Sequence, residues 1–366
     1  MRVPFVYFPQ EFKYLKKELN SKFNKLGAKG EYILGKELKF FEENIKKYLK
    51  VKYVLGVGNW TEGAIMLFKA LGFKQNEEII TVSNSFIATC GAIVLAGLKP
   101  KLVDVGTDLN IDVDKVEKQI TNKTRAIMPV HLSGIPANMN KLKKICKKNN
   151  IYLIEDAAHA FGTKYNRKSL GTIGEVGIFS LHPRKNFHVL GDGGLIVTNN
   201  KSIYKKLHLM RNHGLINRNE SLIWGTNTRL DNLQAGFGNI MIKKIDKWNK
   251  IQLNIAKKYS TNLKNTVQIP IYDPKKSNPT FHQYIIRTKY RDQLQNYLAK
   301  NKIDTAIHYP IPIHRQKAYK KNFEKMNLPN TEKYSKQILS LPINPFMKND
   351  EVDFVIKKVS EFFIKK

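Results

Sequence analysis

The chain has 366 residues, of which 42% are apolar and 25% are charged, and this apolar share is enough to bury a large core. A wholly disordered protein is therefore excluded, and no run of about 18 apolar residues predicts a transmembrane helix. The two cysteines, Cys90 and Cys146, are too few for a disulfide scaffold and lack metal-ligand spacing. Residues 1–13 lack the pattern of a signal peptide, so we expect a cytoplasmic protein with no membrane partner.

A net charge of +33, from 63 Lys and Arg against 30 Asp and Glu, is the unusual feature of the composition. Such a charge is typical of proteins that bind nucleic acid. The lysines are nevertheless spread over the whole chain, with no zinc finger, aromatic RNA-binding signature or basic tail beside them. We therefore interpret the charge as a compositional bias on a solvated surface and predict no nucleic-acid partner. The positive field would still attract an anionic substrate.

Seven short, mostly apolar runs in the first 200 residues predict strands that are buried between helices. These runs are residues 53–57, 78–82, 101–105, 125–130, 152–155, 177–180 and 195–198. Helical patterns separate the early strands at residues 64–71, 87–95 and 138–148. This alternation predicts an α/β domain with a mostly parallel seven-stranded sheet.

The pattern changes after residue 200, where a long helical segment runs from Met241 towards Leu263. A strand, a helix face and a closing helix follow at residues 284–287, 294–298 and 352–363. These elements predict a smaller α+β domain at the C-terminus. We expect a large domain at residues 1–245, which includes an N-terminal segment, and a small domain at residues 246–366.

Three chemically active groups follow predicted strands. One strand ends at Asp156, another ends at Ser180, and Lys185 comes just before a glycine-rich turn at residues 191–194. Open α/β sheets bind ligands at the carboxyl ends of their strands. An acid, a hydroxyl and a lysine at one edge are what a pyridoxal phosphate (PLP) enzyme requires. The lysine forms a Schiff base, the carboxylate keeps the pyridine nitrogen protonated, and the hydroxyl holds the phosphate.

This block resembles the sugar aminotransferases of the DegT/DnrJ/EryC/StrS family, which adopt the aspartate-aminotransferase fold. The resemblance is carried by six stretches in the same order, at residues 58–63, 83–89, 154–162, 179–186, 191–194 and 225–231, and it extends to residues 307–314. It therefore covers nearly the whole chain. It implies a PLP-dependent transferase of fold type I, with PLP and its pyridoxamine phosphate form as the cofactor.

The resemblance implies a role for four residues around the cofactor ring. Lys185 would form the Schiff base and then shuttle a proton, while Asp156 would pair with the ring nitrogen. His159 would lie beside the ring, and Phe86 would stack on its face. A further histidine, His131, also follows a strand, and its pattern fits a pocket residue or a structural one equally well.

The same family implies how the phosphate is held. Thr61 and the backbone amides of Trp60 and Thr61 would bind it at a helix N-terminus, with Ser180 adding a hydrogen bond. Because the family usually has glycine where Trp60 stands, the amides of Glu62 or Gly63 are an alternative. In the family the counterpart of Asn227 reaches the phosphate from the other subunit, which implies a homodimer with shared active sites.

The resemblance also implies the reaction. An amino group, probably from glutamate, would pass to a nucleotide-linked keto-deoxysugar, and the amino sugar would feed lipopolysaccharide or another surface glycan. The stretch at residues 306–316 most resembles the branch that aminates the 3-position, and amination at the 4-position is the alternative. His308, Tyr309 and His314 lie on this proline-stiffened loop and would contact the sugar or the diphosphate.

Two other function classes remain as alternatives. A dehydratase branch of the same fold replaces the Schiff-base lysine with histidine, and Lys185 argues against it. A non-catalytic PLP-fold regulator would need an attached DNA-binding module. Because the cofactor-fold pattern starts near residue 30, we expect no room for one.

Overall fold

The computed structural model describes residues 1–319 and 326–364. The chain begins with two helices, α1 (Phe8–Gly27) and α2 (Lys36–Leu49), before the first strand. Strands and helices then alternate as β1 (Tyr53–Val57), α3 (Trp60–Ala70), β2 (Glu78–Val82), α4 (Ile87–Leu95), β3 (Lys99–Val103), α5 (Val113–Val116), β4 (Thr124–Ile127), α6 (Met139–Asn149) and β5 (Tyr152–Asp156).

The middle of the chain adds two short strands, completes the central sheet and ends in three helices. These elements are β6 (Lys164–Tyr165), β7 (Lys168–Ser169), β8 (Val176–Ser180), β9 (Gly194–Thr198), α7 (Lys201–Met210), α8 (Asn232–Met241) and α9 (Ile245–Leu263). The last part of the described chain contains β10 (Ser277–Asn278), β11 (Tyr284–Arg287), α10 (Arg291–Lys300), α11 (Pro329–Ser335), β12 (Ile338–Leu341) and α12 (Asn349–Ile364).

The central sheet has seven strands within the described ranges, in the order β1-β9-β8-β5-β4-β2-β3. Strand β9 runs antiparallel to both neighbours, β1 and β8, while the remaining pairs are parallel. The predicted α/β class with a mostly parallel sheet is therefore confirmed. Strand β3 begins and ends two residues earlier than predicted. It pairs with β2 residue by residue, and the pairing stops where β2 ends, with Val103 opposite Val82.

A second apolar cluster lies away from the central sheet. It is built by α9, α10, α12 and the antiparallel pair β11–β12, and Tyr259, Tyr284 and Leu341 are fully buried in it. Val3 and Tyr7 also pack here, so the N-terminal segment contacts the C-terminal part of the chain. The long segment predicted from residue 241 onwards is interrupted, because Lys244 closes a turn onto the Met241 carbonyl at 2.9 Å. The division at residue 245 stays a prediction.

The topology brings several strand and helix ends to one edge of the sheet. Strands β5 and β8 both end there, β9 begins there, and α3 begins just after β1 ends. A Cβ atom on Gly194, the first residue of β9, would lie 2.8–3.0 Å from backbone atoms of Asn59 and Trp60. The missing side chain thus lets the sheet touch the start of α3. No helix in the described ranges is long and apolar enough to cross a membrane.

The contact between Gly177 in β8 and Gly171 gives a stability prediction. A Cβ on Gly177 would lie 2.1 Å from the Gly171 carbonyl oxygen and 2.5 Å from its Cα, and neither backbone atom can move cheaply. We expect Gly177→Ala to lower the free energy of unfolding by about 3 kcal/mol or more, measured by urea denaturation. The control is Gly27→Ala at the end of α1, where no atom lies within 4 Å. An equal midpoint for both variants would contradict the packing.

Candidate active site

A cavity of about 730 Å³ lies at this edge of the sheet. It is enclosed by the ends of β5 and β8, the start of α3, the N-terminal segment and residues 308–309. Nine of the predicted site residues line it, namely Trp60, Thr61, Phe86, Asp156, His159, Ser180, Lys185, His308 and Tyr309. Asn227 and His314 are not among the residues that line it.

Lys185 follows a tight turn that begins at His182. The Lys185 N–H donates to the His182 carbonyl at 2.8 Å, and Pro183 fixes the backbone between them. Burial lowers the pKa of the Lys185 amine to about 8, and the charge of Asp156 opposes this shift. An amine with this pKa is partly neutral near pH 8, so it can act as a nucleophile or a base.

Asp156 ends β5 and is only 3% exposed. Burial raises the pKa of its carboxyl group, while the Ala158 N–H, the charge of Lys185 and the Thr89 hydroxyl oppose the rise. The Thr89 hydroxyl donates to Asp156 Oδ2 at 3.1 Å, and the Ser85 hydroxyl lies 2.7 Å from Thr89 Oγ1. Since Thr89 gives its proton to Asp156, Ser85 must donate to Thr89. This series of hydrogen bonds orients the carboxylate of Asp156.

His159 lines the same cavity as Asp156 and is buried. Its Nδ1 accepts the Ser133 N–H at 3.3 Å, and its ring centroid lies 4.5 Å from that of His282. Burial, reinforced by the charge of Lys185, holds the pKa of His159 well below its usual range. The ring is therefore neutral, and because Nδ1 is an acceptor, its proton is on Nε2.

The start of α3 presents donors to the cavity. The Asn59 side chain caps the helix by accepting the Glu62 N–H at 2.8 Å, and the Asn59 carbonyl accepts the Gly63 N–H. In the part of the chain that the structure describes, the backbone amides of Trp60 and Thr61 have no hydrogen-bond partner. These two amides and the positive end of the helix dipole favour an anion. The bulky Trp60 does not block them, because its ring packs into the apolar core.

Aromatic residues form another side of the cavity. Phe86 is 55% exposed, and its ring centroid lies 6.0 Å from that of Tyr309. His308 stacks on Phe5 at 5.9 Å, and the Ser340 hydroxyl holds its Nδ1 at 2.8 Å. Burial lowers the pKa of His308 to about 4, so this imidazole is also neutral.

Two histidines that the sequence left as pocket candidates lie outside the cavity. His314 is buried, with Nδ1 2.7 Å from the Ser83 hydroxyl and Nε2 3.0 Å from Glu332 Oε1. Both ring nitrogens are thus bound to protein groups, and the expectation that His314 contacts substrate is corrected. His131 is structural as well, because its Nδ1 accepts the Ala137 N–H and its Nε2 donates to Glu155.

Sequence reasoning missed a buried pair beside Lys185. His188 Nδ1 donates to the Lys185 carbonyl at 2.9 Å, and His188 Nε2 lies 2.7 Å from Glu11 Oε1. Both side chains line the cavity. Glu11 belongs to α1, which is far from Lys185 in sequence, so no local pattern indicated this contact.

The lining groups fit pyridoxal phosphate. The free amides of Trp60 and Thr61, with the Ser180 hydroxyl, provide donors for a phosphate at one end. The amine of Lys185 and the carboxylate of Asp156 interact through charge, with no ion pair within 4 Å among the described contacts. Lys185 would hold the cofactor covalently, and Asp156 would keep its ring nitrogen protonated.

Comparisons with known proteins agree with this geometry. The sequence profile of the DegT/DnrJ/EryC1/StrS aminotransferase family matches residues 13–360. A dTDP-3-amino-3,6-dideoxy-alpha-D-galactopyranose transaminase of Aneurinibacillus thermoaerophilus is 38% identical, over 98% of this chain and 99% of the relative. A pleiotropic regulatory protein of Geobacillus stearothermophilus is 35% identical over 99% of both chains.

Solved structures show the same relationship. The crystal structure of S. venezuelae DesV in complex with a ketimine intermediate superposes with a TM-score of 0.96 at 33% identity, covering 99% of this chain and 98% of that chain. The chain therefore belongs to the DegT/DnrJ/EryC1/StrS aminotransferase family. It is a PLP-dependent aminotransferase with the type I fold, which confirms the predicted fold, enzyme class and cofactor.

The lowered pKa of Lys185 gives a prediction about cofactor uptake. Below pH 8 the amine is mostly protonated and cannot attack a carbonyl carbon, whereas above pH 8 it is neutral. The rate at which cofactor-free protein takes up PLP covalently should rise by about tenfold per pH unit up to pH 8 and then level off. Absorbance after rapid mixing at pH 6–10 measures it. A rate that keeps rising to pH 10 would contradict the lowered pKa.

Proposed function

We propose that this chain transfers an amino group from glutamate to the keto group of a nucleotide-linked deoxysugar in the cytoplasm. The observation that carries the proposal is the buried Lys185 amine, with a pKa lowered to about 8, beside Asp156 in a cavity large enough for a sugar nucleotide. The amino sugar made in this way would enter lipopolysaccharide or another surface glycan.

Lys185 and Asp156 have the central roles in this proposal. Bound PLP supplies a carrier for the amino group and an electron sink for the electron pair of the broken C–H bond. Lys185 holds the cofactor covalently, and its amine, once free and neutral, moves the proton between the substrate carbon and the cofactor. Asp156 keeps the ring nitrogen protonated, and Thr89 holds the carboxylate in place at 3.1 Å.

Five other residues position the cofactor in the proposal. Thr61 and the amide of Trp60 hold the phosphate at the start of α3, with Ser180 as a further donor. His159, neutral and with its proton on Nε2, donates to an oxygen substituent of the ring. Phe86 is exposed to the cavity and covers one face of the ring.

The sugar lies on the aromatic side of the cavity. His308 and Tyr309 line that side and present an imidazole and a phenol to the sugar hydroxyls. We favour a 3-keto sugar, because residues 306–316 resemble that branch and the Aneurinibacillus relative carries a 3-amino sugar in its name. A 4-keto sugar is the alternative.

The proposed active enzyme is a homodimer that shares its active sites. Asn227 is exposed and lies outside the cavity of its own chain, on a segment paired with Asn212. Close to it, Trp224 is 97% exposed and Leu222 is 64% exposed, which is unfavourable for large apolar side chains in water. A second copy of the chain that covers these residues would bring Asn227 to the phosphate of its partner.

A regulatory function is the second candidate, because the Geobacillus relative is named a regulatory protein. This chain nevertheless retains the lysine, the carboxylate and the open cavity that the chemistry requires. A protein that binds PLP but aminates no nucleotide sugar would favour the regulatory alternative.

The role of Asp156 can be tested by Asp156→Asn. An amide cannot keep the ring nitrogen protonated, so turnover should fall by about a hundredfold or more, while PLP remains bound through Lys185. Steady-state rates and the absorbance of the bound cofactor measure the two effects. The variant Asp112→Asn, outside the cavity, is the control for a lost carboxylate. Normal turnover of Asp156→Asn would contradict the assignment.

The substrate can be tested with matched 3-keto and 4-keto sugars linked to dTDP, UDP or GDP, with glutamate as donor. We expect an amino sugar from a 3-keto substrate, detected by mass spectrometry. Product from the 4-keto sugar alone would establish the alternative position. No product from any keto sugar, with PLP bound, would contradict the proposed function.

A further inference from the structure

Arg184 lines the cavity next to Lys185 but has no role in the proposed reaction. Apart from these two residues, the described lining contains no lysine or arginine. The lining carboxylates are Glu11, Glu62, Asp156 and Asp192. In a protein with a net charge of +33, the cavity is thus poor in permanent positive charge.

The turn that positions Lys185 also fixes the backbone of Arg184. Its N–H donates to His182 Nδ1 at 3.2 Å, and the Lys185 N–H closes the same turn onto the His182 carbonyl. Pro183 fixes the backbone just before Arg184 and leaves less freedom to lose on binding. The turn therefore presents an amine and a guanidinium to one cavity from adjacent residues.

The guanidinium of Arg184 is not paired with a carboxylate among the described contacts. Burial is the largest cause of the lowered pKa of His308, and the positive charge of Arg184 is the second. The same charge also contributes to the lowered pKa of His282. Arg184 is exposed, and it lines the same cavity as His308, on whose side the proposed sugar lies. An unpaired guanidinium in such a place is suited to a carboxylate or a phosphate, which it binds through two parallel N–H groups.

We propose that Arg184 binds an oxyanion of a substrate. This inference rests on the proposed function, in which both substrates are anionic. The oxyanion is the diphosphate of the nucleotide sugar or a carboxylate of the amino donor. Because Lys185 is occupied by the cofactor, Arg184 is then the one permanent cation of the described lining that remains for the substrate.

The test compares PLP-loaded Arg184→Gln with wild type and with Arg167→Gln. Arg167 is exposed and outside the cavity, so this control removes the same charge and accounts for the general effect of the +33 field. Calorimetry gives the dissociation constant of dTDP, and the absorbance change of the bound cofactor gives the half-saturating glutamate concentration. The spectrum of the bound cofactor before glutamate is added should be the same in all three proteins.

We expect Arg184→Gln to raise one of the two constants by about tenfold or more over Arg167→Gln. A change for dTDP alone identifies the diphosphate as the bound group, and a change for glutamate alone identifies the carboxylate. Arg184→Lys, which retains the charge but not the planar fork, should recover part of the affinity.

Two results would overturn the inference, and they differ in what else they contradict. Equal constants for Arg184→Gln and Arg167→Gln would overturn the role of Arg184 alone. A wild-type holoprotein that neither binds dTDP nor responds to glutamate would overturn the proposed function, and the role of Arg184 would fall with it.

Discussion

A buried amine and a buried carboxylate face one cavity, and the rest of the active site depends on this pair. Removing either charge from water is unfavourable, and burial shifts the two pKa values towards the neutral forms. The charge of each group opposes the shift of the other. A ligand that forms a bond with Lys185 and donates a charge-assisted hydrogen bond to Asp156 relieves both costs.

Neighbouring residues with no role in the proposed reaction hold Lys185 and Asp156 in place through hydrogen bonds. Glu155, next to Asp156, accepts N–H groups of Gly171, Ile173 and Gly174 as well as the ring of His131. These bonds tie the end of β5 to the loop before β8. On the other side, His188 fixes the carbonyl of Lys185. Hydrogen bonds thus hold the backbone next to Asp156 and the backbone of Lys185, as a preorganised site requires.

Much of the fold was predictable because it depends on local patterns. Buried parallel strands are continuous apolar runs, so the seven strands of the sheet could be located from the sequence. The first two helices were missed, although Leu15, Leu19 and Leu26 of α1 lie on one buried face. The rest of α1 mixes five lysines with the exposed aromatic residues Phe8, Phe12, Tyr14 and Phe23, so the buried leucines do not stand out as a single apolar face.

The site was only partly predictable, because motif order does not give the direction of a side chain. Residues at strand ends, such as Asp156, have their direction set by the sheet. His314 follows no such rule, and its loop turns the ring towards Ser83 and Glu332 instead of the cavity. Glu11 and His188 meet across 177 positions of sequence, and such a contact becomes visible only in the folded chain.

The central claim is that the cofactor bonds to Lys185 and to no other lysine. Reduction of the PLP-loaded protein with sodium borohydride, followed by peptide mass spectrometry, tests it most directly, because reduction makes the bond permanent. The chain has 53 lysines, so chance labelling would be distributed widely. We predict one stoichiometric label, on Lys185, which is absent from Lys185→Ala. A stoichiometric label on another lysine would contradict the account.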